Sequence, residues 1–131
     1  MKIIEGGPDE GIYVPSGVFE SSVFTAPSSS AFNRFTASIN QPANTSIKIQ
    51  VGVAAPQSGS CSGASYNFVG PGGDVGAYFT PVVASISGTI PLGTYGGYQN
   101  PEGCFRYKTF LDTTDFNQTP VLNDVNVNYS P

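Results

Sequence analysis

The stretch Thr45-Ser46-Ile47-Lys48-Ile49-Gln50-Val51-Gly52-Val53 decides the fold class. Ile47, Ile49, Val51 and Val53 alternate with Lys48, Gln50 and Gly52. A period of two puts all four branched side chains on one face of a strand, and that face must be packed against something. The same alternation recurs at Phe35, Ala37 and Ile39, at Phe105, Tyr107, Thr109 and Leu111, and at Val125, Val127 and Tyr129. Weaker strands are expected over residues 18–24, 65–69, 77–80 and 83–90. No window keeps a helical apolar stripe free of Gly, Pro or β-branched clusters.

The breaks between these runs are turn chemistry. Ala26-Pro27-Ser28-Ser29-Ser30, Gln41-Pro42-Ala43-Asn44, Gly70-Pro71-Gly72-Gly73-Asp74 and Thr113-Thr114-Asp115 supply fixed φ at Pro and positive φ at Gly or Asn. About eight short strands with such turns read as an all-β, antiparallel, jelly-roll-like β-sandwich. Residues 12–131 are expected to form one domain, with longer loops over 54–64 and 91–103. Residues 1–11 read as a linker or an artificial start. Met1-Lys2-Ile3-Ile4-Glu5-Gly6-Gly7 has a charge and a Gly pair where a signal peptide would carry an apolar run. An exported chain of this kind is expected to be a piece of something longer.

Composition narrows function by exclusion. The chain has 131 residues and contains no His and no Trp. That removes Ser-His-Asp triads, Cys-His dyads and His-ligated metals. Lys plus Arg number 5 against 9 acids, for a net charge of −4, so no basic nucleic-acid surface is expected. No apolar run reaches the length that inserts in a membrane. Paired carboxylates are the remaining catalytic route, and no spacing links Glu20 to Glu102 in that role. The chain reads as a non-enzyme.

The two cysteines, Cys61 and Cys104, stand in a Ser/Thr/Asn/Gly-rich, Lys-poor chain, which points to export and to one disulfide. The alternative is a pair of buried free thiols. Tyr95, Tyr98, Asn100 and Glu102 on the Gly-rich loop combine aromatic faces, an amide and a carboxylate, the chemistry that holds a neutral glycan or a protein partner. Ordinary loop packing is the competing reading. Asp112, Asp115 and Asp124 are candidate calcium ligands, although they lack the dense spacing of a calcium loop. Their alternative roles are hydrogen bonds within their own turns and cross-sheet pairing. No other cofactor is expected. Asn44, Asn117 and Asn128 open glycosylation sequons that arise easily by chance in this composition.

The run Phe105-Arg106-Tyr107-Lys108-Thr109-Phe110-Leu111-Asp112-Thr113-Thr114-Asp115, followed by Thr119-Pro120-Val121-Leu122-Asn123-Asp124-Val125, resembles the C-terminal part of a β-sandwich module of bacterial exported proteins. Such modules include the globular heads of prepilin-type (type IV pilin-like) proteins. Ser21-Ser22-Val23-Phe24, Thr45-Ser46-Ile47-Lys48-Ile49-Gln50, Val69-Gly70-Pro71-Gly72-Gly73 and Tyr78-Phe79-Thr80 extend the likeness over residues 12–131. Two features depart from it: the prepilin helix with its Gly-Phe cleavage region is missing, and Phe35 stands where some relatives carry Trp. The resemblance implies a structural or adhesive extracellular module at the cell surface, with pilus or other surface-protein subunits as partners. A carbohydrate-binding module of a longer exported enzyme or adhesin, with glycan as partner, is the alternative.

Overall fold

The computed structural model describes residues 15–130. The expected linker over 1–11 lies outside them. Eight strands are found among the described residues: β1 (Ser16–Glu20), β2 (Phe24–Asn40), β3 (Thr45–Ala54), β4 (Ser85–Thr89), β5 (Gly93–Tyr95), β6 (Tyr98–Asn100), β7 (Glu102–Thr113) and β8 (Val121–Ser130). All ladders are antiparallel. No helix among the described residues is long and apolar enough to cross a membrane.

Two layers enclose the core. In the first, β7 is central, with β3 on one side and β1 followed by the start of β2 on the other. In the second, the later half of β2 is central between β4 and β8. The long β2 therefore belongs to both layers. The Pro27-Ser28-Ser29 segment was expected as a turn. It lies inside β2, where the ladder to β7 is interrupted between Thr25 and Ser30. Pro cannot donate to a ladder, so this is where a strand can leave one sheet and join another.

The alternation works as read. Ile47, Ile49, Val51 and Val53 are buried against Phe32, Phe35, Ile39, Ile86 and Leu122. Phe32 stacks on Phe105 at 5.2 Å, and Phe35 meets Phe79 edge-on at 4.9 Å. Gly88 on β4 faces the Phe79 ring so closely that any Cβ would strike it. The weaker expectations need correction. Residues 65–69 and 77–80 pair with the β3 backbone only through single bridges, Val51 with Val69 and Ile49 with Phe79. The Gly/Pro run between them, with its 3-10 turn Pro71–Gly73, prevents longer pairing. Val83 sits at φ 58° in a turn, so β4 starts at Ser85.

Candidate functional site

Period-two geometry also builds the outer face of the first sheet. Because Val69 and Phe79 bridge to β3 and point into the core, their neighbours Phe68 and Tyr78 point the opposite way. There they meet the outward residues of β3 and β7. The register pairs Lys48 with Phe110, Gln50 with Lys108, and Gly52 with Arg106. Gln50, expected to be wet, is buried. Its Nε2 donates to the carbonyls of Val75 at 2.9 Å and Ala77 at 2.8 Å, pinning the covering loop. Gly52 leaves room for Phe68, whose ring lies 3.2 Å from where a Cβ would stand.

Cations and rings interleave along this face. Lys48 Nζ lies 3.8 Å from the Tyr78 ring centre and 6.0 Å from that of Phe110. Lys108 Nζ lies 5.5 Å from Phe110 and 5.3 Å from Phe68. The Arg106 guanidinium is 5.4 Å from Tyr66 and forms a 3.5 Å ion pair with Glu20. Tyr66 and Phe68 are near-parallel, with 6.3 Å between centroids, and Tyr78 meets Phe110 edge-on at 5.2 Å. Burial pushes the Tyr66 phenol above its ordinary pKa, and the Arg106 charge opposes that rise. The Glu20–Arg106 pair is the one salt bridge among the described residues, so the ammoniums of Lys48 and Lys108 lie near rings and form no ion pair, although Glu20 stands opposite Lys108 in the β1–β7 register.

A second feature lies on the open side of the sandwich. A cleft of about 350 Å³ is lined by Val23, Phe24, Phe105, Tyr107, Val127 and Tyr129, among others. It runs beside β8, which pairs only with β2 among the described residues. Phe24 and Tyr129 at its rim remain 42% and 37% exposed.

The residues proposed from sequence fare differently. Cys61 and Cys104 are joined, with Cα atoms 5.4 Å apart, and the bond ties the loop after β3 to β7. Tyr95, Tyr98, Asn100 and Glu102 do not form an exposed cluster. They lie on or beside the β5–β6 hairpin, and Tyr98 and Asn100 are 0% and 1% exposed. The Tyr98 hydroxyl donates to the Pro91 carbonyl at 2.6 Å, and burial raises its pKa far above the ordinary value. The Asn100 amide accepts from the Phe32 N–H at 3.0 Å and donates to the Phe32 and Pro91 carbonyls, each at 2.8 Å. Both residues hold the fold; a side-chain amide continues the ladder where β2 crosses between sheets. Tyr95 is exposed, and its hydroxyl donates to the Leu92 carbonyl. Glu102 is half-buried opposite Ser30.

Asp112, Asp115 and Asp124 are not gathered either, and no cluster of three metal-ligating side chains occurs among the described residues. Asp112 stands on β7 of the first sheet and Asp124 on β8 of the second. Asp115 accepts the Asn117 N–H at 3.0 Å within its own turn. Sequence reasoning missed Lys48, Arg106, Lys108, Phe68 and Phe110 as a set. Their spacing on each strand is visible in the sequence, but the register that joins them is not.

No family model, curated protein or solved structure matches the chain.

Proposed function

We propose that this chain is a non-catalytic structural or adhesive module of an extracellular surface protein, and that it associates through the edge of β8 that pairs with nothing among the described residues. The observation that carries the reading is this ten-residue edge beside the apolar cleft. β8 contains no Lys and no Pro, the residues that usually block edge pairing, and Asp124 is its one charge. The occupant is the β8 edge of a second copy. Two such antiparallel strands related by a two-fold axis are self-complementary and would continue the second sheet across the interface, with Phe24 and Tyr129 covered at its margin. The disulfide and the all-β fold agree with an oxidising, extracellular setting.

Sedimentation velocity over a concentration series tests the proposal. Self-association is expected, weakened by Asn126→Lys on the exposed side of β8 and by Tyr129→Lys at the cleft rim. A Lys on the exposed sheet surface away from β8, Thr89→Lys, serves as a charge-matched control and should leave association intact. A chain that stays monomeric at all attainable concentrations, or one whose association responds equally to all three changes, overturns the reading.

A further inference from the structure

We propose that the outer face of β3 and β7 is a binding site for an acidic glycan, one whose sugar rings carry carboxylates. The site is separate from the β8 edge and independent of association there.

The argument begins with charge. The chain is net negative, yet Lys48, Arg106 and Lys108 share one face with four aromatic rings. Lys48 and Lys108 are diagonal neighbours across the β3–β7 ladder, a position that places Cα atoms roughly 7–8 Å apart. Both ammoniums lie near the same ring, Phe110, at 6.0 and 5.5 Å from its centre. Ring quadrupoles attract each cation. They do not cancel the repulsion between two like charges, and neither Lys forms an ion pair among the described residues: Glu20, opposite Lys108 in register, is engaged by Arg106, and Asp112, diagonal to Lys48, forms none. A ligand carboxylate seated between them supplies the missing negative charge through charge-assisted hydrogen bonds.

The rings have two roles. Contact with Tyr78, Phe110 and Phe68 restrains the long Lys side chains, so less conformational freedom is lost on binding. The half-buried faces of Phe68 and Tyr66 then offer apolar surface to the C–H side of a sugar ring. An acidic peptide fits less well. Bridges from Val69 and Phe79 already occupy the free edge of β3, so a peptide would find little backbone to pair with. A sugar needs none.

Glu20 tunes the site. It pairs with Lys108 in register and forms the ion pair with Arg106, so it lowers the positive potential that the ligand meets.

Calorimetric titration of the purified protein with short oligouronates tests the assignment. The methyl-esterified oligosaccharides serve as neutral counterparts, and single-stranded RNA as a polyphosphate probe. Saturable binding to the uronate is expected, at least tenfold weaker for the ester and weaker again at high salt. Lys108→Gln should cost about tenfold in affinity, as should Lys48→Gln, because each removes one charged hydrogen-bond partner. Glu20→Gln should strengthen binding, an outcome that a merely damaged fold would not give. Equal binding of ester and acid, binding of RNA in preference to uronate, absence of uronate binding, or a Lys108→Gln variant that melts normally and binds normally would each overturn the proposal.

Discussion

Removing the Asn100 side chain should cost far more stability than a polar residue in a Gly-rich hairpin suggests. Because the Phe32 N–H donates to Asn100 Oδ1, it points away from β8. Phe32 and Tyr129 are therefore a non-hydrogen-bonded pair of the β2–β8 ladder, and the Phe32 carbonyl also points toward Asn100, where it accepts at 2.8 Å. Asn100→Ala leaves both backbone groups buried with no partner. The Pro91 carbonyl keeps the Tyr98 hydroxyl. Two orphaned buried groups at roughly 1–3 kcal/mol each give an expected loss of about 2–6 kcal/mol. That is a large part of the 5–15 kcal/mol that holds a typical domain together. Urea unfolding followed by circular dichroism measures it, with Tyr fluorescence as the second probe. Asn100→Asp sharpens the test. A carboxylate still accepts from the Phe32 N–H but faces two carbonyls without a proton, so burial raises its pKa in the fold. The folded state then binds the extra proton, and stability of this variant should rise as pH falls. A loss under about 1 kcal/mol for Asn100→Ala, or an Asn100→Asp variant as stable as the parent at neutral pH, would refute the reasoning.

The disulfide closes a separation of 43 residues, so Cys61→Ala with Cys104→Ala should lose about 4 kcal/mol on the chain-entropy argument; equilibrium unfolding of both forms checks it. Thr109 is fully buried on β7, and its hydroxyl has no hydrogen-bond partner among the described residues. Thr109→Val should therefore be neutral or stabilising by up to about 1 kcal/mol, and a clear loss in thermal melting would reveal a partner for that hydroxyl. Burial raises the Tyr98 pKa above its ordinary 10.0, so the folded state keeps a proton that the unfolded state releases. This contribution is intact below pH 10.0 and is lost as pH climbs toward the folded value. Tyr98→Phe should flatten the alkaline limb of stability against pH while costing roughly 1 kcal/mol at neutral pH for the hydrogen bond to Pro91.

The strand that opened the sequence reading was legible because one periodic signal fixes both its type and its buried face. The same held for β7 and for the later halves of β2 and β8. Pro27 misled because Pro is ambiguous: it marks a turn or a place where a strand leaves its ladder, and only the packing of β2 into both sheets distinguishes them. Tyr98 and Asn100 misled for a different reason. Their residue types suit ligands, but Asn is also the side chain that best imitates a peptide group, and the backbone needing that imitation lies 68 residues away in sequence. The carboxylates Asp112 and Asp124 are close in sequence, yet the connection after β7 carries the chain from one sheet to the other.

The cation–aromatic face shows what must be known before such a set can be read. Each strand states only which residues share a side: Lys48 with Gln50 and Gly52, Arg106 with Lys108 and Phe110. The β3–β7 register decides that Lys48 meets Phe110 and that Gly52 lies opposite Arg106. A slip of one residue would turn Lys48 and Lys108 into the core, where an unpaired ammonium is far more costly than the burial of one Ile is favourable. The same interaction therefore fixes both the fold and the face. The inward set Ile47, Ile49, Val51 and Val53 specifies the register, and the outward cations forbid its alternative. Phe68 and Tyr78 follow from it, since their directions are set by the buried Val69 and Phe79 beside them. A backbone register held in this way keeps the strand positions of Lys48, Arg106 and Lys108 on one face whether or not anything is bound.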